Sequence, residues 1–497
     1  MSRLIVISNR VNPPDDIGAG TAGGLASALA SALRDGDGIW FGWSGETTPE
    51  FSGQLSMRKV GGVTVALIDL EEQDVDEYYN GYANRTLWPL FHYRTDLAAF
   101  DRSFGEGYAR VNTRFAETVL PLIGSDDVIW VQDYHLIPLA QELRRLGVKN
   151  RIGFFLHIPW PARRVLETLP HHQELVCSLL DYDLIGFQAV DHRDAFAEYI
   201  EHKAGGRVAA DGAIEAWNKR SHIGCFPIGI DAAEFVEAVE SAPAREMRDL
   251  MLRSKADRKM ILGVDRLDYS KGLEERFASY EQFLADNPEL NERVFLVQVA
   301  IPSRDAVDAY QDIRTRLEGL SGRINGRFST IDWVPLRYVN RVLRRDELAG
   351  LYRTAEVGLV TPLRDGMNLV AKEYVAAQDP RDPGVLVLSQ FAGAAEQMKD
   401  ALIINPVDRE ETAEALRQAL AMPLKERVRR WEALMGGITR DGVVQWRDSF
   451  VAALGMAGAA NDQAHPAVWA DRPPPPRWEA ERPVPGSVAL QGRFPIV

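Results

Sequence analysis

Short apolar runs alternate with segments of helical periodicity along most of the 497-residue chain. Several runs show no polar–apolar alternation, which is typical of strands buried on both faces of a sheet. Because parallel strands need a crossover connection, the repeated strand–helix–strand order predicts parallel α/β units. We expect strands at 4–7, 128–131, 152–156, 184–187, 260–264, 294–299, 357–360, 385–388 and 402–404. We expect helices at 24–34, 108–122, 137–146, 273–284, 306–317 and 410–421.

The apolar runs fall into two arrays, separated by a strand candidate at 225–231 that proline and glycine interrupt. A chain of this length is too long for one hydrophobic core, so two domains are expected. We predict an α/β fold with a first domain at 1–230 and a second at 231–440. An aromatic helix at 441–456 is expected to pack back on the first domain.

The last segment, residues 457–497, is rich in proline and arginine. This composition is typical of a disordered tail, because too little apolar surface is available to offset the entropy of ordering the chain. A ligand for an SH3-type domain is the alternative interpretation.

Composition argues against several classes of protein. Only two cysteines occur, Cys177 and Cys225, without a C-x-x-C pair, which argues against a disulfide framework or zinc ribbon and fits the reducing cytoplasm. Neither a signal-peptide pattern nor an uncharged apolar run of about 18 residues is seen, so we expect no membrane span. The net charge of −14 argues against nucleic acid as a partner, although a local arginine cluster can still bind phosphates.

Ligands of α/β folds bind at the carboxyl ends of the parallel strands. A cleft between two such sheets would bring those ends together from both domains. Polar residues directly after strand candidates are therefore the candidates for a binding site.

One such segment is TPLRDGMNLVAKEY at 361–374. Asp365 follows a strand candidate, and Gly366 allows close approach of the backbone to a ligand. Glu373 lies about one and a half turns into the helix that follows. Unpartnered amides at the start of this helix predict an anion site, and they belong to Met367, Asn368 and Leu369. The alternative is that Asp365 is only an N-cap and Glu373 a solvated residue.

A second segment, VDRLDYSKGL at 264–273, also joins a strand candidate to a helix candidate. Arg266 and Lys271 place two cations in this loop, where arginine can bind a phosphate with two hydrogen bonds and lysine acts as a point charge. Together with the helix-start amides, these cations suit a diphosphate leaving group. The alternative is a surface ion pair with Asp265 or Asp268.

Asp133 and His157 each end a strand candidate in the first array, within WVQDYH and FFLHIPWP. A carboxylate and an imidazole at strand ends suit the recognition of hydroxyl groups. A structural role for His157 is the alternative. A metal site with His135 is a further alternative, although the spacing matches no known ligand pattern.

A glycine-rich stretch near the start contains a formal G-x-G-x-x-G at Gly18, Gly20 and Gly23. A dinucleotide fingerprint needs its first glycine directly after the strand, and here about ten residues intervene. We interpret the stretch as a loop ending at Gly23 and Gly24, able to close over a substrate. Trp88 lies in the aromatic segment NRTLWPLFHYR, with a place in the core as the alternative.

Taken together, these segments resemble the trehalose-6-phosphate synthases, retaining glycosyltransferases with two facing Rossmann-like domains in the GT-B arrangement. The resemblance runs from about residue 3 to residue 455. Its stretches are VISNR, AGGLASAL, WFGWSGE, DEYYNGYANRTLWPLFHYR, VQDYHLIPLAQELR, IGFFLHIPWP, PIGID, DRLDYSKGL, PSRDAVDAYQDIR, GRINGRF, TPLRDGMNLVAKEYVAAQDP and LVLSQFAGAAEQM.

The resemblance implies transfer of glucose from a nucleotide donor, usually UDP-glucose, to glucose 6-phosphate across a deep interdomain cleft. It implies front-face attack by the acceptor, with the leaving phosphate taking the acceptor proton. No metal or other cofactor is expected, because cations and helix-start amides would stabilise the diphosphate. A cytoplasmic homo-oligomer, a dimer or tetramer, is also expected.

The resemblance also assigns a role to each site residue. The donor diphosphate would contact Arg266, Lys271, Gly366, Met367, Asn368 and Leu369. The donor ribose would be bound by Glu373 and the donor glucose by Asp365 and His157, with Gly23 and Gly24 in a closing loop. The acceptor hydroxyls would be bound by Asp133. The acceptor phosphate would be held by Arg10, Tyr79, Trp88 and Arg304.

Two departures from the family pattern follow His157: Trp160 replaces a common phenylalanine, and Arg163 and Arg164 replace smaller polar residues. They leave acceptor or oligomer contacts open there. Three other functions also remain: a glucosylglycerol-phosphate synthase acting on glycerol 3-phosphate, a catalytically silent sugar-phosphate sensor and an NAD-dependent oxidoreductase.

Overall fold

The structure is a computed structural model that describes residues 3–11, 29, 33, 38–60, 62–303 and 308–464. Within these residues, ten strands form a first sheet: β1 (Leu4–Arg10), β2 (Ile39–Thr48), β3 (Ser56–Val60), β4 (Val63–Glu71), β5 (Val128–Gln132), β6 (Ile152–Phe155), β7 (Leu184–Phe187), β8 (Arg207–Val208), β9 (Ala213–Ala216) and β10 (Lys219–Cys225). Their order across the sheet is β3-β4-β2-β1-β5-β6-β7-β10-β9-β8. The central pairs are parallel, and β3, β8 and β9 add antiparallel edges.

Six further strands form a second sheet: β11 (Lys259–Arg266), β12 (Val294–Ile301), β13 (Leu336–Val339), β14 (Val357–Val360), β15 (Val385–Ser389) and β16 (Leu402–Ile404). Their order is β13-β12-β11-β14-β15-β16, and every pair is parallel. All eight residues of β12 are buried, as expected for a strand covered on both faces.

Helices connect the strands and cover the sheets. The α-helices are α1 (Glu72–Asp74), α2 (Trp88–Phe91), α3 (Arg102–Val119), α4 (Leu139–Arg145), α5 (Arg163–Leu166), α6 (His172–Leu179), α7 (Val190–His202), α8 (Ala232–Ala238), α9 (Ala242–Lys255), α10 (Leu273–Asp286), α11 (Asp308–Phe328), α12 (Arg345–Thr354), α13 (Leu369–Ala376), α14 (Arg409–Ala421), α15 (Leu424–Arg440) and α16 (Val443–Ala464). A π-helix spans Val75–Leu87, and short 3-10 turns span Leu120–Leu122, Tyr134–Leu136, Tyr269–Lys271, Pro288–Leu290 and Gly393–Glu396.

The predicted fold class, α/β with two Rossmann-like sheets, is confirmed. The nine strands predicted at 4–404 are present. The further strand candidate at 225–231 is wrong, because only Cys225 belongs to a strand, β10, and proline and glycine interrupt the residues after it. Helices also occupy the predicted helical segments, except 24–34, which lies mostly outside the described residues. The domain limits at 230 and 440 stay predictions. Of the tail predicted at 457–497, residues 457–464 belong to the helix α16, and residues 465–497 lie outside the described residues. Within the described residues, no helix is both long and apolar enough to cross a membrane.

The missed strands lie mainly toward the edges of the sheets. The strand β3 reads SMRKV with four exposed residues, and β13 is half-buried along most of its length. An edge strand has a solvated side, so its sequence lacks the continuous apolar run that identified the central strands.

The last described helix, α16, packs against the first sheet. Its Trp446 and Phe450 rings lie 4.6 and 4.7 Å from the Trp130 ring, centroid to centroid. A Cβ atom added to Gly153 of β6 or Gly186 of β7 would come within 2.6 or 2.7 Å of the Phe450 ring. Glycines in these strands therefore open the groove that the helix fills.

Candidate active site

Strand order reverses once in each sheet, and these reversals carry most of the predicted site residues. In the first sheet, Arg10 ends β1 and Asp133 follows its neighbour β5. In the second sheet, Arg266 ends β11, and Asp365 lies five residues beyond the end of β14, its neighbour. Reversals of strand order open a crevice at the carboxyl ends of the strands, which is where ligands of α/β folds bind.

The carboxyl ends of the strands in the two sheets, called the edges of the cleft below, come into contact at Gly366. A Cβ atom built on Gly366 would collide with the carbonyl oxygen of His157, so only glycine fits between these backbones. Nearby, the Arg266 guanidinium lies 5.2 Å from the centre of the Trp88 ring. The residues after β11 and β14 therefore face those of the first sheet.

Asp365 and Lys271 form an ion pair at this edge. The Lys271 Nζ lies 2.5 Å from Asp365 Oδ2, and both side chains are largely buried. The Asn368 side chain donates a second hydrogen bond to Asp365 Oδ2 at 3.0 Å. Burial favours protonation of this carboxyl, but the lysine charge and the two hydrogen bonds lower the pKa of Asp365. Asp365 is therefore held as a carboxylate.

The N-cap of α13 is Asn368, so the alternative of Asp365 as a cap is wrong. Asn368 has φ 76° and accepts a hydrogen bond from the amide of Ala371 at 3.2 Å. Helix geometry leaves the other amides of the first turn without intrahelical partners. These amides could still bind an anion at the start of α13, so the anion site stays a prediction.

Glu373 is not a solvated surface residue. Its Oε2 accepts a hydrogen bond from the Tyr352 hydroxyl at 3.2 Å, and burial raises the pKa of Glu373. A partly buried carboxylate with a single phenol partner retains acceptor capacity for ligand hydroxyls.

The surface ion pair considered for Lys271 with Asp265 or Asp268 is also wrong. Asp265 instead pairs with Arg276 at 2.5 Å. Asp268 accepts from the amide of Ser270 and the hydroxyl of Tyr310. Both carboxylates thus have other partners, whereas Lys271 pairs with Asp365 and Arg266 lies over the Trp88 ring.

Arg276 links three neighbouring strands of the second sheet, and the sequence analysis did not identify it. It is fully buried and donates to Asp265, to Gln298 Oε1 at 2.7 Å and to Thr361 Oγ1 at 2.9 Å. These bonds join the end of β11 and the middle of β12 to the residue after β14. The available signal was a charged residue on the apolar face of the predicted helix 273–284.

The His157 ring is held by two glutamines. Gln188 Oε1 accepts from the amide of Ile228, which directs its Nε2 toward His157 Nδ1 at 3.3 Å. His157 Nε2 lies 2.8 Å from Gln132 Oε1. This pattern assigns the proton to Nε2 of a neutral ring. Burial agrees, because it lowers the pKa of His157 to about 3.

Asp133 stands in a strained conformation. Its φ is 72° and ψ is 167°, a region that only glycine adopts readily. Its Oδ1 accepts a hydrogen bond from the amide of His157 at 3.1 Å. Strain of this kind, about 1–3 kcal/mol, clusters at functional sites.

Trp43 contacts both Arg10 and Tyr79. The Arg10 guanidinium is 5.9 Å from the Trp43 ring, and the Trp43 ring is 5.6 Å from that of Tyr79. Tyr79 also stacks on His135, with ring centres 5.9 Å apart. The π-helix Val75–Leu87 presents Tyr79, and π-helical turns are often found at functional sites.

Trp88 is 4% exposed and packs on His92 and Tyr134, as its core alternative expected. The Tyr134 ring in turn lies 3.9 Å from the His135 ring, centroid to centroid. The rings therefore form a continuous path from Arg10 to Arg266.

Three predicted residues, Gly23, Gly24 and Arg304, lie outside the described residues. Among the residues that are described, no group of three or more histidine, cysteine or acidic side chains is arranged to hold a metal ion. The metal alternative at Asp133, His135 and His157 therefore has no support. The expectation of a reaction without cofactors stays a prediction.

Sequence reasoning also missed Gln132, Gln188 and Trp43. Gln132 is fully buried at the end of β5, directly before Asp133. A polar residue ending an otherwise apolar strand is the signal that could have identified it. Trp43 gave no signal, because its place beside Arg10 depends on the pairing of β1 with β2.

Both the sequence and the structure are similar to those of known proteins. The sequence profile of Glycosyltransferase family 20 matches residues 14–455. A trehalose-6-phosphate synthase of Sinorhizobium fredii is 49% identical over 453 residues, which cover 91% of this chain and 98% of that protein. A trehalose-6-phosphate synthase of Escherichia coli K12 is 48% identical over 454 residues, covering 91% of this chain and 95% of that one.

Solved structures agree. The α,α-trehalose-phosphate synthase (UDP-forming) of Burkholderia xenovorans in complex with glucose-6-phosphate is 49% identical with a TM-score of 0.88, covering 91% of this chain and 100% of that chain. An E. coli structure bound with UDP-2-fluoro glucose is 47% identical with a TM-score of 0.87, covering 91% and 99%. The chain described here belongs to Glycosyltransferase family 20.

Proposed function

We propose that this protein transfers glucose from UDP-glucose to glucose 6-phosphate, with release of UDP and formation of α,α-trehalose 6-phosphate. The observation that carries the proposal is the pair of facing strand reversals, one with Arg266, Lys271 and a helix start, the other with Arg10 and Asp133. The relatives with glucose-6-phosphate and UDP-2-fluoro glucose support both substrates.

On the donor side, Arg266 and Lys271 bind the diphosphate together with amides at the start of α13. The pieces lie within one edge of the second sheet, and Gly366 lets the phosphate-binding turn approach the first. Glu373 receives the ribose hydroxyls, since its carboxylate has capacity beyond the Tyr352 bond. The donor glucose lies between Asp365 and His157.

On the acceptor side, Asp133 accepts hydrogen bonds from the sugar hydroxyls, and Arg10 and Tyr79 bind the 6-phosphate. Arg10 is exposed at the end of β1, so its charge is free to meet an anion. Trp88 borders this region beside Arg266. We also place Gly23, Gly24 and Arg304 in the substrate site on family resemblance alone.

The chemistry breaks the bond between glucose C1 and the β-phosphate oxygen and forms one between C1 and the anomeric oxygen of the acceptor. The electron pair leaves with the diphosphate, and the acceptor proton moves to the leaving phosphate oxygen. Retention by double displacement needs a carboxylate free to attack C1. Asp365 is instead engaged by Lys271 and Asn368. We therefore favour front-face attack, driven by positioning and by stabilisation of the departing charge.

We further propose a metal-independent reaction in the cytoplasm by a homo-oligomer, a dimer or tetramer. Unchanged turnover in excess EDTA supports the first point, and loss of turnover contradicts it. Light scattering during size-exclusion chromatography measures the mass, and a monomer would contradict the oligomer.

A matrix of donors and acceptors tests the function. Purified protein is incubated with UDP-, GDP- or ADP-glucose and with glucose 6-phosphate or glycerol 3-phosphate, and nucleotide release and product mass are measured. We expect turnover with UDP-glucose and glucose 6-phosphate. Preference for glycerol 3-phosphate would favour a glucosylglycerol-phosphate synthase, and binding of both substrates without turnover would favour a sensor.

A further inference from the structure

The chain crosses between its two halves twice, and the crossings pack against each other. Residues 226–231 follow β10, and residues 441–443 join α15 to α16. The amide of Val443 donates to the carbonyl of Ile230 at 3.3 Å. A Cβ atom on Gly229 would collide with the carbonyl of Asp441, so the two backbones are in contact. We call these two crossings the hinge, because the chain passes between the two sheets there.

Lys372 connects this hinge to the donor helix. It is 2% exposed on α13, directly before Glu373. Its Nζ donates to the carbonyl of Ile228 at 2.7 Å and to Gln397 Oε1 at 2.8 Å. Gln397 in turn points its Nε2 toward Asp441 at 3.5 Å. One side chain thus links α13 to both crossings.

The chain of hydrogen bonds continues into the first sheet. The amide of Ile228 donates to Gln188, which contacts the His157 ring. The amide of His157 donates to Asp133. A connected path therefore runs from the donor helix to the carboxylate that we assign to the acceptor.

Burial of the Lys372 amine carries a desolvation cost in free energy. Burial lowers the pKa of Lys372 to about 7, although the charge of Asp441 opposes the shift. A neutral amine keeps two N–H donors, which is enough for both acceptors, so the link persists on either side of that pH. An apolar side chain of similar length would fill the space without the desolvation cost. The hydrogen bonds are thus the feature that calls for lysine here.

We propose that Lys372 is a positioning residue that sets the angle between the two halves of the molecule, and so the distance between the donor site and Asp133. The proposal rests on the proposed function for its kinetic consequence only. Lys372 touches neither reacting atom in this arrangement; it acts through the hinge.

The test compares Lys372→Met, which keeps the length of the side chain, with Lys425→Met, which removes an exposed lysine from α15. We expect Lys372→Met to lower kcat about 100-fold, because misplacement by about 1 Å can cost that much. UDP affinity, measured by calorimetry, should stay within about threefold, since its contacts belong to the second half alone. Lys425→Met should change neither. A parallel loss of UDP affinity would overturn the proposal in favour of local support for α13.

A distance measurement separates this proposal from the proposed function. Spin labels on cysteines introduced at the exposed Glu106 of α3 and Glu318 of α11 report the separation of the halves, after replacement of Cys177 and Cys225. We expect Lys372→Met to broaden or shift the distance distribution, with or without UDP. An unchanged distribution would overturn the hinge role even if the enzyme acts on another acceptor. Should Lys372→Met fail to fold, Gln397→Leu removes one of the two bonds and is judged by the same distances.

Discussion

The donor edge and the acceptor edge of the cleft are built differently. The residues that we assign to the donor diphosphate and ribose come from two short segments, 264–273 and 361–374, each of which joins a strand to a helix. The described residues that we assign to the acceptor come from four separate places: the end of β1, the π-helix Val75–Leu87, the start of α2 and the turn after β5. Each donor segment is thus continuous in sequence, and the pairing of β11 with β14 brings the two together. The acceptor residues meet only once several elements of the first sheet have assembled.

The donor edge is also pre-organised by its own charges. Lys271 and Asp365 are paired, and Arg276 fastens the strands beneath them. At the acceptor edge, Arg10 is exposed and Asp133 is strained. If these assignments hold, we expect donor affinity to depend on a few charges, and acceptor selection to depend on the shape of a larger surface.

The largest effect is expected from removing a donor cation. Arg266→Ala or Lys271→Ala should lower kcat about 100- to 1000-fold, because a charge that stabilises the departing diphosphate is lost. Lys271→Ala also leaves Asp365 without its cation, so its pKa should rise. The melting temperature should change little in Arg266→Ala and fall in Lys271→Ala, because the second variant leaves a buried carboxylate without its cation. Lys425→Ala serves as the exposed control. Near-normal turnover in both variants would contradict the donor assignment.

A smaller and more selective effect is expected at Asp133. Asp133→Asn keeps an oxygen for the amide of His157 and removes the charge. We expect kcat/KM for glucose 6-phosphate to fall about 10- to 100-fold, the scale of one hydrogen bond to a charged group. UDP affinity should be unchanged by calorimetry. Equal losses on both substrates would mean that the two edges are not separable.

A substitution at Gly45 tests the acceptor surface and removes no polar group. It has φ 96°, and an added Cβ atom would lie 2.5 Å from the Arg10 guanidinium. Gly45→Ala should displace Arg10 and raise KM for glucose 6-phosphate about fivefold, or about 1 kcal/mol. Arg10→Met gives the upper limit of the effect. An unchanged KM in both variants would remove Arg10 from the acceptor site.

A fourth prediction concerns stability rather than turnover. The pKa of His157 is about 3 in the folded protein and about 6.5 when unfolded. The unfolded state therefore binds more protons between these values, and this histidine costs stability progressively as pH falls from 6.5 toward 3. At pH 5 the cost is about 2 kcal/mol, from about 1.4 kcal/mol per pKa unit. His157→Gln should show a smaller loss of urea resistance between pH 7 and pH 5; equal losses would contradict the buried neutral ring.

Sequence reasoning reached the parts of the molecule that are local. The buried strands were identifiable because parallel strands covered on both faces are continuously apolar. Asp365 and Lys271 were identifiable because each follows a strand, but their mutual ion pair was not, since 94 residues separate them. The alternative of Asp365 as the N-cap of α13 was wrong, because Asn368 takes that position in a left-handed conformation that a sequence does not display.

The remaining features depend on tertiary contacts. Trp43 meets Arg10 only through strand pairing, and the glutamines around His157 come from the ends of two other strands. The roles of Tyr79 and Arg10 came from family resemblance, not from spacing. The sequence analysis did not single out Lys372, because its burial depends on the packing of the two crossings.

The helix α16 has a consequence for protein engineering. Phe450 fills the groove above Gly153 and Gly186, so the first half of the molecule is completed by residues far beyond it in the chain. A fragment ending at residue 230 would expose Trp130 and Phe155 to water and should aggregate. To study the acceptor half alone, residues 443–464 would have to be supplied in trans or grafted by circular permutation.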